Sequence, residues 1–364
     1  MISRHKKVTP FELAILLVHA QIGVDMIALV NRLNMQTNYD GWISVLLAGV
    51  VVQILILLFG LLIKRFPNQT YFEMLEIVYG KWIGKFIIAM YCVFFTVLCS
   101  SLFAKYTIVL KSWMMPLTPK WILALLLILI SIYLAVENIQ VISRFFFLAT
   151  SVILLFFGFV IYSLKSGNIY HILPIGNAGL ANILKGIYTS VISFQGFEYF
   201  LYIAPFVVGN RKQIIKTASF TNVFVTLFYA FVVFTCNLFF SPEEMKLVTE
   251  PIFYLIKSFT FNMIERPDLI FTSLWIVLVV TSIVFLLYVS SNGLKLLFKA
   301  KKRTIFVIMI AMASYVMSLL LYGEQRIDFL SKFIKPLIVV VTAGIPLMTI
   351  LFSYLLKRTG ETQP

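Results

Sequence analysis

Charge is scarce in this sequence. Asp, Glu, Lys and Arg make up 12% of its 364 residues against 61% hydrophobic ones. That is too little polar material to clothe a soluble globule, so the chain falls in the polytopic membrane class, as a single membrane domain over 1–364. Cysteine is scarce as well: Cys92, Cys99 and Cys236 lie inside apolar runs without metal-like spacing and read as small hydrophobes with no chemistry. A Walker motif, a nucleophile–base spacing and a metal-ligand cluster are all missing, which removes support for an enzyme and for a bound cofactor or metal. The net charge of +15 would point to nucleic acid in a soluble protein, yet no basic, aromatic-interleaved surface domain exists. Lys and Arg gather instead between apolar segments, where they set topology and meet the anionic headgroups of a lipid bilayer.

What is present is a series of long apolar runs. The first begins at Pro10 and continues to about residue 30, opened by Thr9-Pro10-Phe11-Glu12, a capping-box pattern that makes Glu12 structural. With no small-residue cleavage site it reads as a retained span rather than a signal peptide. Runs at 42–63, 83–110, 121–136 and 145–164 follow, then 184–208, 218–240, 269–298, 305–322 and 334–356, most of them near the ~20 residues that cross a bilayer. The expectation is an all-α membrane protein with ten transmembrane helices.

Two of these spans are interrupted at mid-depth. The stretch 184–209, LKGIYTSVISFQGFEYFLYIAPFVVG, carries Ser193, Gln195, Gly196 and Glu198 at its middle and Pro205 beyond them, and the first run meets Gln21-Ile22-Gly23-Val24-Asp25. A carboxylate at mid-depth does not face lipid, and glycine weakens the helix beside it. Both spans therefore read as broken helices that offer bare backbone groups to a ligand. Gly23 and Gly196 lie about a half-length apart, and a long amphipathic connection (68–82 and 241–265) precedes the longest span in each half. These matches suggest two repeats, about 9–165 and 182–357. Five spans per repeat make them inverted. Placing both termini in the cytoplasm puts eighteen of the thirty Lys and Arg residues inside.

Taken together, the broken opening span with Gly23, the Leu173-Pro174 turn, Gly196-Phe197-Glu198 with Pro205, and Glu265-Arg266-Pro267-Asp268-Leu269-Ile270-Phe271 running into Trp275 carry a resemblance over essentially the whole chain. It resembles the LeuT-type fold of the amino acid–polyamine–organocation transporters, a 5+5 inverted repeat with helices 1 and 6 broken. Within that group it is similar to the endospore germination permeases, the B subunits of nutrient germinant receptors. The resemblance implies a multi-pass protein of the spore inner membrane that senses a small nutrient, commonly an amino acid, in a complex with A- and C-type subunits.

The candidate ligand site follows from the two breaks. Half-helix N-termini favour an anionic group and unwound carbonyls a cationic one, as an amino acid zwitterion requires. Gly23, Val24, Ser193, Phe194 and Gly196 are the expected backbone contacts, the alternative being that the two glycines only permit close packing. Glu198 is open to three roles: pairing with a ligand ammonium, carrying a coupling proton, or holding the broken helix by accepting backbone N–H groups, the last being favoured. Asp25 presents the same choice, or is simply solvated near Asn31-Arg32. Lys105 is expected to snorkel to the outer interface, and His19 to be a hydrogen-bonded interior residue. The resemblance places the third and eighth spans beside the site, which adds Val97, Ser101, Thr281, Ser282 and Phe285. Some related transporters substitute a lysine on the fifth span for sodium; 145–164 holds none, so a coupling ion, proton or sodium, stays open. An unaided ion-coupled amino acid transporter is the alternative to a sensor.

Overall fold

A computed structural model describes residues 7–259 and 266–360, and within them every regular element is a helix. Glu265 of the quoted motif lies outside the described residues. The first apolar run divides into α1 (Pro10–Gln21) and α2 (Val24–Thr37). α1 starts as its sequence requires: the Glu12 N–H donates to Thr9 Oγ1 at 3.2 Å while Thr9 N–H donates back to Glu12 Oε2 at 2.6 Å, the reciprocal cap that satisfies two orphan donors. Then come α3 (Gly41–Arg65), α4 (Tyr71–Tyr79), α5 (Lys81–Trp113), α6 (Lys120–Ala135) and α7 (Ile139–Ser163). The second half holds α8 (Leu180–Ser193), the one-turn α9 (Tyr199–Ile203), α10 (Arg211–Phe239), α11 (Pro242–Leu247), α12 (Pro251–Lys257), α13 (Pro267–Leu297), α14 (Thr304–Leu320), α15 (Glu324–Val339) and α16 (Ile345–Leu355). A wide π-type turn over Val340–Gly344 joins the last two, just after Pro336 interrupts the hydrogen-bond ladder of α15.

Among the described residues, six helical stretches are long and apolar enough to cross a membrane, and α1, α6 and α14 are shorter apolar helices beside them. The outward faces are as greasy as the core, with Leu148, Phe86 and Tyr133 largely exposed. Apolar burial therefore does not distinguish inside from outside. Polar staples between helices do: Asn222 on α10 donates to the Gly49 carbonyl (3.0 Å) and to Gln53 Oε1 (3.1 Å) on α3, and Gln53 Nε2 donates to Ser219 Oγ at 2.8 Å. α10 lies along α3 and α13 along α5, enclosing α1, α2, α8 and α9.

The ends of this core are tied by connections. The short parallel bridge between Val8 and Val207 fastens the start of α1 beside the segment that follows α9, with Val8 N–H on the Phe206 carbonyl and Val208 N–H on the Val8 carbonyl, both at 2.9 Å. At the opposite end, Asn31 Nδ2 donates to the Val248 carbonyl (2.7 Å) and Trp113 Nε1 to Glu250 Oε2 (2.6 Å), which lays the α11–α12 connection over α2 and α5. Trp113 is thus turned onto Phe253, with ring centroids 4.9 Å apart, rather than out to the membrane surface. Trp82 and Trp121 are exposed as interfacial anchors would be.

Asp40, at the α2–α3 junction, is 2% exposed, and its two carboxylate oxygens accept the N–H groups of Gly176 (2.8 Å) and Ala178 (2.9 Å). One buried side chain thereby fixes the loop that feeds α8. Asp40→Ala is expected to strand both donors at a cost of about 2–4 kcal/mol, seen as a lower melting temperature of the purified protein. An unchanged melting curve would mean the loop is held by other contacts.

Candidate functional site

Two unwound segments meet at the centre of the protein. α1 stops at Gln21 and α2 resumes at Val24; α8 stops at Ser193 and α9 resumes at Tyr199. Gly196, at φ +117°, adopts a conformation that L side chains rarely take, and a Cβ there would lie 2.5 Å from the carbonyl oxygen of Ala20 and 2.6 Å from its carbon. Only glycine allows the second break to rest on the backbone of the first. Gly23 makes the matching approach to α13, where a Cβ would stand 2.4 Å from Ser282 Oγ.

Breaking a helix in an apolar interior strands polar backbone groups. Tyr229 of α10 answers for both carbonyl ends, since its hydroxyl donates to the Gln21 carbonyl at 2.6 Å and stands 3.5 Å from that of Ser193. Glu198 answers for a donor: its Oε2 accepts the Gly196 N–H at 2.7 Å. The other oxygen, Oε1, is buried with no hydrogen-bond partner among the described residues.

Beside the breaks lies a central cavity of about 60 Å³. The first break contributes Gln21, Gly23 and Asp25, the second Ser193, Gln195 and Tyr199, while α5 and α13 close it with Leu98, Leu102, Ser282 and Leu286. Asp25 organises the polar end. Its Oδ2 pairs with Arg32 Nη2 at 2.5 Å and accepts the Ser193 hydroxyl at 2.7 Å, and Lys105 Nζ is 3.9 Å from its Oδ1. Arg32, two turns along α2, also donates to Ser193 Oγ at 3.1 Å, so the cluster binds α2 to α8. Two cations face one carboxylate, all three side chains about a quarter exposed. The cluster separates the central cavity from a larger one of about 670 Å³ lined by Arg32, Gln36, Lys185, Thr189 and Lys335.

The structure gathers Gly23, Asp25, Ser193 and Ser282 around the central cavity. Val24 is the first residue of α2. Val97 and Ser101 do not line the cavity; their neighbours Leu98 and Leu102 do. Thr281 turns instead to His19, 3.4 Å from Nδ1, and Phe285 stacks on Tyr199 with centroids 4.9 Å apart. Phe194 packs edge-on against Tyr229, and Gly196 and Glu198 build the turn behind the cavity. Lys105 corrects the sequence reading, because it turns inward to Asp25 rather than running to the membrane surface. Asp25 is correspondingly paired rather than merely solvated. His19 is fully buried between Thr150 (3.1 Å) and Thr281. Gln21 and Gln195 were visible as mid-depth polar residues; Tyr199, Tyr229 and the pairing of Lys105 with Asp25 gave no local signal.

Comparison with known proteins gives this arrangement a context. The family model described as Spore germination protein matches residues 7–326. Spore germination protein GerQB of Bacillus cereus is 26% identical over 330 residues, 89% of each chain, and YndE of Bacillus subtilis (strain 168), also a spore germination protein, is 24% identical over 370 residues, covering 99% of this chain and all of that one. Among solved structures, MhsT in complex with L-phenylalanine superposes with a TM-score of 0.72 at 12% identity, over 96% of this chain and 89% of that one. Mhp1, a nucleobase-cation-symport-1 family transporter in a closed conformation with bromovinylhydantoin bound, gives 0.68 at 13% identity, over 97% and 80%. The chain shares the LeuT-type transporter fold.

The backbone contact at the centre is testable. Gly196→Ala meets both the Ala20 carbonyl and an unfavourable φ, and is expected to cut the yield of folded protein sharply. Tyr229→Phe keeps the ring but leaves the Gln21 carbonyl unpaired, at about 1–3 kcal/mol read from the melting temperature. Wild-type stability in Gly196→Ala would show that the two breaks are not in backbone contact.

Proposed function

The chain belongs to the spore germination protein family, a family of non-enzymatic, multi-pass membrane proteins, and from that premise we propose that it is the nutrient-sensing membrane subunit of a germinant receptor. It crosses the membrane ten times: α1 with α2 as the first, broken span, then α3, α5, α6 and α7, with α8 and α9 as the sixth, broken span, then α10, α13, α14 and α15 with α16. The two sets of five form an inverted repeat with both termini in the cytoplasm and the spore core beneath.

The observation that carries the reading is the central cavity between two interrupted helices, polar at Asp25, Ser193 and Ser282 within an apolar interior. An amino acid suits its chemistry. The ligand ammonium has Asp25 as a partner, and unwound backbone is at hand for its carboxylate. The complex of MhsT with L-phenylalanine supports an amino acid in a fold of this kind. Binding shifts the balance of conformations only if the ligand favours one of them, and loosening the Asp25–Arg32–Ser193 cluster supplies that preference. A- and C-type subunits read the change. The sensor needs no cofactor; proton or sodium coupling belongs to the alternative, an amino acid transporter acting on its own, which the shared fold keeps in view.

Gly23→Phe fills the cavity and is expected to abolish nutrient-triggered germination in spores whose receptor complex still assembles; normal germination by that variant would remove the cavity as the site. For the wild-type chain alone in proteoliposomes, saturable binding of labelled amino acid without gradient-driven accumulation is expected. Accumulation that follows a proton or sodium gradient would establish the transporter instead.

A further inference from the structure

A third cavity, of about 610 Å³, lies toward the C-terminal end of α13. From Ser282 at the central cavity to Lys295 at this one is thirteen residues of the same helix, about 20 Å at the helical rise. Lys295, Lys299, Lys301, Lys302 and Arg303 all line it. Among the described lining residues Glu73 is the one carboxylate, and its Oε2 is already engaged by the Thr70 N–H (2.7 Å) and hydroxyl (2.8 Å) that cap α4. Basic loops between spans are ordinary topology signals, but a topology signal requires neither a cavity nor groups arranged inside it.

Three features indicate that these charges are arranged. The Arg303 guanidinium is fixed, donating from Nη2 to the Glu137 carbonyl at 2.6 Å and lying 4.1 Å from the Tyr288 ring centroid, yet its Nη1 is buried with no acceptor among the described residues. The Tyr202 hydroxyl is in the same condition: the side chain lines the cavity, is 7% exposed, and has no hydrogen-bond partner among the described residues. Finally, α14 begins at the cavity with Thr304 and has no side-chain cap, so its first-turn N–H groups and its positive dipole end face the basic cluster. Buried donors without acceptors are costly unless a ligand or water supplies one.

We infer that this cavity binds a phosphate-type anion, either a free phosphate or the phosphate of a lipid headgroup. A phosphate offers several acceptor oxygens to a guanidinium N–H, a phenol, a helix N-terminus and flexible ammonium groups at once, and neutralises part of a cluster that otherwise repels itself. The site is separate from the nutrient cavity and does not depend on the ligand assigned there. The two share α9, with Tyr199 lining one and Tyr202 the other.

The test uses the purified full chain. One arm measures binding of labelled inorganic pyrophosphate in detergent free of anionic lipid; the other measures phosphatidylglycerol retained after mild delipidation from vesicles of phosphatidylcholine doped with phosphatidylglycerol. Saturable binding in at least one arm is expected, weakened about tenfold or more in the exposed double variant K301E/K302E and measurably in Tyr202→Phe, with Lys332→Glu on α15 behaving as wild type. Pyrophosphate binding assigns a soluble phosphate, and selective phosphatidylglycerol retention assigns a headgroup. If neither probe binds, or if binding is undiminished in K301E/K302E, the inference is overturned.

Discussion

The backbone of Gly196 rests on the carbonyl of Ala20, and most of the central architecture is what that contact demands. Two helical runs interrupted side by side in an apolar interior leave backbone donors and acceptors to be satisfied. The protein answers them with single side chains brought from elsewhere: Tyr229 for the carbonyl ends of α1 and α8, Glu198 for the Gly196 N–H. Neither substitute lines the central cavity, which is bordered at the breaks by Gly23, Ser193 and Gln195.

Charge follows the same economy. With few carboxylates in the sequence, each interior one has a defined task. Asp40 accepts two backbone N–H groups and orders a loop; Asp25 gathers Arg32, Lys105 and Ser193 and joins two helices. Asp25 and Arg32 both reach Ser193, so one carboxylate ties α2 to α8.

Much of this was legible in the residues. Capping boxes, the places where apolar runs begin and end, and the two mid-depth interruptions are local features, written in Thr9-Pro10-Phe11-Glu12 or in the glycine-and-polar clusters around Gly23 and Gly196. The face each helix turns inward was not. α5 and α13 show no clear apolar stripe, so nothing in their pattern fixes which register, Val97 and Ser101 or Leu98 and Leu102, faces the cavity. Pairings across long sequence distances were equally silent. Lys105 reads as a helix-end lysine until Asp25 is placed beside it, and Tyr229 reads as one more aromatic in a run of them.

A transporter fold at the service of sensing is physically coherent here. A ligand moves a two-state equilibrium only through the difference between its affinities for the two states, so a sensor gains from a small cavity whose walls change together. The central cavity is bounded on one side by the Asp25–Arg32–Ser193 cluster and on the other by Tyr199, which stacks on Phe285 and leads through Tyr202 to the aromatic group of Tyr71, Tyr91 and Phe95. Both partitions are short, packed and held by specific partners, and close-packed contacts of this kind shift between discrete arrangements rather than yielding gradually. α9 spans the second partition in a little over one turn. Tyr199 at the central cavity and Tyr202 at the basic one thus sit on one short helical element.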